Sequence, residues 1–227
     1  MAAIRVLIAD DHRLFRQGLR HICEAAGGFE VVGEAGNGQE AVALARALQP
    51  DVILMDIVMP ILDGVEATRQ ITADLPATRV IMLTGVQRNR DLVEAIKAGA
   101  CGCLFKRYDA EKLVATVRAA HRGETIIDPS LAALVIEEFR HRDQTGPDQA
   151  TTELSQGEMD VLLLVARGEN NRAIAHQLDI SEHTVANRLV EIFQKLQVEN
   201  RTQAALLALR RGWVQLDDRE DTVPPEG

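Results

Sequence analysis

Five polar residues stand where apolar runs end. Asp10 and Asp11 follow Ile4–Ala9, Asp56 follows Val52–Met55, Thr84 follows Val80–Leu83, and Lys106 follows Cys103–Phe105. Three carboxylates gathered in one cleft repel one another and need a counter-charge. Lys106 can supply one. A hard divalent cation such as Mg2+, which takes oxygen ligands and keeps several waters, can supply another. A carboxylate set between such charges suits attack on phosphorus, whose non-bridging oxygens need neutralising as the phosphoryl group moves. The product would be an aspartyl phosphate, and its added charge could draw in the Thr84 hydroxyl and shift the adjoining loop.

These residues can meet only if the intervening chain places them on one rim. Strand-like runs read Ile4–Ala9, Glu30–Glu34, Val52–Met55, Val80–Leu83 and Gly102–Phe105. Helical patterns lie between and after them, near Arg13–Ala25, Gly38–Leu48, Gly64–Ala73, Arg88–Ala98 and Asp109–Arg122. In the second, Ala41, Val42, Leu44, Ala45 and Leu48 share a stripe. Gly99 suits the position just past a helix end, and Asp109 an N-cap. Alternating strands and helices predict a flavodoxin-like, five-stranded parallel sheet covered on both faces. Right-handed crossovers then carry the strand ends named above to a single edge.

Composition bounds the alternatives. The chain has 227 residues, 46% hydrophobic and 26% charged, as in soluble globular proteins. No apolar run approaches the roughly 20 residues of a membrane span, so cytoplasmic residence and no membrane partner are expected. A formal charge of −9 argues against coating nucleic acid by bulk electrostatics, yet permits a local DNA-reading surface. Cys23, Cys101 and Cys103 are odd in number and lack zinc-like spacing, which fits reduced, buried thiols.

Asp10-Asp11, Asp56 with its Met59-Pro60 and Asp63-Gly64 continuation, Thr84 and Lys106 resemble the receiver domain of bacterial two-component response regulators over residues 1–122. The resemblance implies that Asp56 is the phosphoacceptor. Asp10, Asp11, Asp56 and the Val58 backbone carbonyl would form a Mg2+ site, with Thr84 and Lys106 as switch and phosphate-sensing residues. His12 is then a packing or hydrogen-bonding residue rather than a ligand. One departure stands out. Receivers usually carry an aromatic residue three positions before the lysine, where this chain has Cys103. A thiol cannot sweep the volume of a ring, so the switch is expected to run through the Thr84-Gly85 backbone and the helix after it.

Beyond Gly123 the pattern changes. Residues 123–152 read as a linker holding one helix from Asp128-Pro129 to Phe139, followed by a polar stretch with a Gly-Pro break. Residues 153–212 read as a small all-α, four-helix unit. Ser155 and Glu158 make a capping box, Gly168 stops the first helix, and a short helix spans Arg172–Leu178. Ser181 caps a longer third helix, and a fourth covers Arg201–Arg211. A short helix, tight turn and longer capped helix form a helix-turn-helix. Leu154-Ser155, Gly168, Ile174-Ala175, Ile180-Ser181-Glu182, Thr184-Val185, Lys195-Leu196 and Arg201-Thr202-Gln203-Ala204 resemble LuxR-type DNA-binding domains.

Together the two resemblances imply a NarL/FixJ-type transcriptional response regulator, not an enzyme in its own right. Its expected partners are a sensor histidine kinase, double-stranded promoter DNA and a second copy in an active homodimer. His183, Thr184, Asn187, Arg188, Lys195 and Arg201 are the expected DNA-binding residues, and Arg188→Ala is expected to abolish sequence-specific retardation. Ala204, Ala205, Leu207 and Ala208 could form either a dimer seam or core. The DNA reader is weakly charged. Ala186, Arg188 and Val190 stand where relatives carry lysine, histidine and often another basic residue. Residues 153–216 hold seven lysines and arginines against eight acids. Because phosphate contacts dominate affinity, the alternative is a receiver-controlled protein-binding adaptor. Residues 213–227 read as an acidic, disordered tail.

Overall fold

The computed structural model describes residues 2–85, 89–107, 109–126 and 153–214. The expected linker helix, the polar stretch after it and residues 215–227 lie outside this set. In the first part, strands β1 (Ile4–Ala9), β2 (Phe29–Ala35), β3 (Val52–Asp56), β4 (Arg79–Thr84) and β5 (Gly102–Phe105) alternate with helices. These are α1 (Arg13–Ala26), α2 (Gly38–Leu48), α3 (Gly64–Asp74), α4 (Asn89–Lys97) and α5 (Ala110–His121). The sheet is wholly parallel, in the order β2-β1-β3-β4-β5. That is the flavodoxin-like order expected.

Strand alternation sorts the core into two layers. Leu7, Ala9, Ile53, Met55, Val80, Met82, Cys103 and Phe105 face α2, α3 and α4. Val6, Ile8, Val52, Leu54, Ile81, Leu83 and Leu104 face α1 and α5. Cys101 packs with this second layer while Cys103 belongs to the first, so the Cys-Gly-Cys run cannot work as a pair. Asp63 caps α3 through the Glu66 N–H and Asp109 caps α5 through the Lys112 N–H. Gly99 adopts φ 101° at the end of α4, as its expected role requires.

The second part comprises α6 (Gln156–Ala166), α7 (Asn171–Leu178), α8 (Glu182–Leu196) and α9 (Arg201–Arg210). The Ser155–Glu158 capping box is present, and Ser181 accepts from the Thr184 N–H to start α8. Between α7 and α8 the chain turns at Asp179, in the left-handed conformation (φ 52°) that aspartate tolerates better than most residues. Val161, Leu162, Val165, Ile174, Val185, Leu189, Ile192 and Leu196 form this part's core. Ala204, Ala205 and Ala208 are fully buried in it. Of the two roles left open for those alanines, the structure selects core, because no part of them is left exposed for a second copy.

The two parts touch. Leu206 belongs to the core beneath α4, and Leu209 packs against both cores. Asn200 Nδ2 donates to the Ile96 carbonyl (2.9 Å), and Thr202 Oγ1 to the Ala100 carbonyl (3.2 Å). Thr125, just after α5, is held at both ends: its N–H donates to the Gly168 carbonyl and its hydroxyl accepts from Arg201 Nε (2.8 Å).

Candidate functional site

The β1–β3 register pairs Ala9 with Met55, which sets Asp10 beside Asp56 just past the sheet edge. Both are buried; Asp11 and His12 remain exposed at the mouth. The β4–β5 register pairs Thr84 with Phe105, and the Lys106 N–H donates to the Thr84 carbonyl (2.8 Å). Lys106 is thereby aimed at both acids, with Nζ 2.6 Å from Asp10 Oδ2 and 2.8 Å from Asp56 Oδ2. The five residues inferred from strand ends are thus positioned by one rim. Thr84 is buried in the last position of β4. The Val58 side chain is exposed in the loop after β3.

The charges explain the titration tendencies. Burial raises the Asp56 carboxyl above its ordinary value; Lys106 works against that rise, and the neighbouring Asp10 and Asp11 charges add to it. Burial acts to lower the Lys106 ammonium, but its bonds to Asp10 and Asp56 outweigh this and raise it. One ammonium therefore serves a set of three carboxylates. Asp10 Oδ2, fully buried, receives no well-aligned hydrogen bond beyond this ionic contact.

Oxygen donors from Asp10, Asp11 and Asp56 converge within 4.8 Å, together with one His12 nitrogen. This surplus of negative charge and its hard donors fit Mg2+. His12 Nδ1 lies 2.6 Å from Asp11 Oδ1, and the His12 N–H donates to Asp10 Oδ1, so its hydrogen-bonding role is accounted for. Residues not foreseen from the sequence also shape the site. The Phe15 ring lies 4.9 Å from Lys106 Nζ, and Arg16 donates to the Asp10 carbonyl. Their signal was only their place in the first turn of α1. The loop is closed by Gly64, whose N–H donates to the Ile57 carbonyl; a Cβ there would lie 1.9 Å from the Asp56 carbonyl oxygen.

A family model for the response regulator receiver domain matches residues 6–118, and one for bacterial regulatory proteins of the luxR family matches residues 152–208. The transcriptional regulatory protein LiaR of Bacillus subtilis is 40% identical over 207 residues, covering 91% of this chain and 97% of its own. The response regulator VraR of Staphylococcus aureus is 37% identical, over 93% and 99%. The chain belongs to the response regulators that join a receiver to a LuxR-type DNA-binding domain. Among solved structures, the response regulator ChrA of a heme-sensing two-component system is 33% identical. It covers 94% of this chain and 100% of its own, with a TM-score of 0.53.

In this response regulator the residues expected to meet DNA divide into two groups. His183 and Asn187 are exposed on α8, and Thr184 is half-buried beside the Ser181 cap. Arg188 is half-buried and reaches back to the Gly157 carbonyl at 3.4 Å. Lys195 donates to Glu158 Oε2 (2.7 Å). Arg201 is enclosed by Thr125, Asn171 Oδ1 and the Glu169 carbonyl. Lys195 and Arg201, both half-buried, are thus held by side chains and carbonyls of the protein itself. Sequence alone could not foresee it, since their partners come from other helices and from the segment after α5.

Proposed function

We propose that Asp56 accepts a phosphoryl group from the phosphohistidine of a sensor histidine kinase. The observation carrying this reading is the Asp10–Lys106–Asp56 arrangement, with Asp11 beside it, in a chain of this family. An Asp56 carboxylate oxygen forms the new P–O bond as the donor's P–N bond breaks, and the imidazole leaves. Lys106 holds the attacking carboxylate in place and offsets charge on the phosphoryl oxygens. Asp10, Asp11, Asp56 and the Val58 carbonyl would hold Mg2+, which when bound supplies further neutralisation of those oxygens. Thr84, next to the rim, offers the hydroxyl that turns toward the phosphoryl group. With Cys103 beneath α4 in place of an aromatic ring, the response passes through the Thr84-Gly85 backbone and α4.

The working units are a receiver (1–122), a linker (123–152), a DNA-binding domain (153–214) and a tail (215–227); the tail was expected from residue 213, but Trp213 and Val214 pack into the helical core. The receiver catalyses only its own phosphorylation and dephosphorylation, in the cytoplasm where kinase and chromosome meet. The phosphorylated chain binds promoter DNA as a homodimer. Full-length protein is tested for promoter-fragment retardation with and without acetyl phosphate. Acetyl phosphate should strengthen retardation by wild type and leave Asp56→Ala unchanged. Equal stimulation of both would refute the assignment, and specific protein capture without DNA retardation would favour an adaptor.

A further inference from the structure

The outer strip of α8 carries an unusual set of groups for a helix that reads DNA. Val185, Leu189, Ile192 and Leu196 turn inward to the core, leaving His183, Asn187, Val190 and Glu191 exposed. The helix contains two cations, and each is drawn away from that strip. The Arg188 guanidinium lies against Gly157, so close that a Cβ there would meet it at 3.1 Å. Lys195 is bound to the buried Glu158. Val190 is 54% exposed, one of few large apolar side chains so placed among the described residues.

The groups that remain have definite partners in the major groove. Adenine presents an N7 acceptor beside an N6 donor, matching the two ends of an asparagine amide; thymine alone presents a methyl group. Asn187 Nδ2 lies 3.3 Å from His183 Nε2, one turn earlier. With the imidazole accepting there, one amide proton is used. The second proton and Oδ1 stay free, which is the pair an adenine edge requires. Three residues of helix separate Asn187 from Val190, a rise of about 4.5 Å. That lies between one and two base-pair steps of about 3.4 Å.

We propose that this chain reads A·T pairs, with Asn187 on an adenine edge and Val190 against a thymine methyl, and makes no arginine–guanine contact from α8. This deepens the DNA-binding reading and rests on it. It also replaces the expectation that Arg188 carries sequence specificity.

Full-length protein, treated with acetyl phosphate and Mg2+ and verified as phosphorylated by intact mass, is used to select sites from a random 30-base-pair duplex pool. The enriched sites should share A·T positions. Each thymine in a selected duplex is then replaced by deoxyuridine, which removes only the methyl. Wild type should lose about fourfold affinity at one thymine per half-site, the value of one buried methyl. Val190→Ala should bind both duplexes alike. Asn187→Ala should lose about tenfold discrimination at the neighbouring adenine. Both residues are exposed, so neither variant is expected to disturb folding.

Enrichment of guanine-dependent sites whose preference vanishes in Arg188→Ala and survives in Val190→Ala would overturn the proposal. Insensitivity to every deoxyuridine would do the same, with the DNA-binding reading still standing. A phosphorylated protein that enriches no sequence would overturn both.

Discussion

Lys195 and Glu158 show how one ion pair can decide what a residue is free to do. Glu158 accepts from Lys195 Nζ, from the Ser155 N–H and from the Ser155 hydroxyl while its side chain is almost wholly buried. The Lys195 bond, helped by those from Ser155, holds the Glu158 carboxyl down to about 2, against an ordinary 4.5. A depressed carboxylate stabilises the fold fully above its unfolded value, and that contribution is lost as pH falls through the folded one. The DNA-binding half should therefore weaken between about pH 4.5 and pH 2 in acid titration followed by circular dichroism. Glu158→Gln should remove most of that acid dependence and cost about 2 kcal/mol at neutral pH, the value of hydrogen bonds to a charged group. A variant retaining the wild-type acid transition would place it in other carboxylates. Cys101 and Cys103 lie at the other extreme. Burial pushes both thiols up to about 12, so neither is a reactive thiolate at neutral pH.

At the scale of elements, the β3–α3 connection does the positioning. It must bring the start of α3 against the end of β3 while leaving the Asp56 side chain facing the rim. Gly64 makes the close approach possible, since the Asp56 and Ile57 backbone occupies the space a side chain would need. Gly38 does the same on α2, where a Cβ would meet the Leu62 carbonyl at 2.4 Å. Ile61 between them adopts φ 68°, a conformation costly for a β-branched residue, so this loop stores strain close to Asp56, the proposed phosphoacceptor. Gly64→Ala should force the β3–α3 loop apart, lowering stability by about 2 kcal/mol or more in denaturant melts. It should also reduce Asp56 phosphorylation by acetyl phosphate at least tenfold, read by intact mass. Wild-type phosphorylation in that variant would mean the loop adjusts without moving Asp56. Ile61→Asn should instead stabilise by about 1 kcal/mol, because asparagine tolerates the left-handed region.

Across the whole molecule, the joint between receiver and DNA-binding domain combines apolar contact with a few directed bonds. Arg201 is its costly member. Burial lowers its guanidinium to about 10, Arg79 nearby adds to this, and its acceptors are the neutral oxygens of Thr125, Asn171 and Glu169. A buried cation tolerates such surroundings only while its hydrogen bonds persist. Thr125→Val removes the Arg201 Nε acceptor without changing shape, and Asn200→Ala removes the bond to the Ile96 carbonyl. The double variant should keep both cores folded, yet raise hydrogen exchange at least tenfold in α9 and the last turn of α4. Unchanged exchange would mean that Leu206 and Leu209 hold the joint unaided. The same joint lies beside α4, the helix through which the proposed switch runs.

The receiver half was legible because its information is local and periodic. Apolar runs ending in Asp10, Asp56, Thr84 and Lys106, joined by crossovers of fixed hand, leave one way to bring those residues together. Helix ends were equally plain, from the Ser155–Glu158 box to the Ser181 cap. Tertiary structure decided what depends on neighbours distant in sequence. It committed Lys195 to Glu158 and Arg201 to the interdomain joint, buried Ala204, Ala205 and Ala208, and placed Cys101 and Cys103 in opposite layers. The reason is that periodicity records which face of an element is apolar. Whether a charged side chain on its border meets solvent, DNA or a carboxylate is settled only when another element arrives beside it.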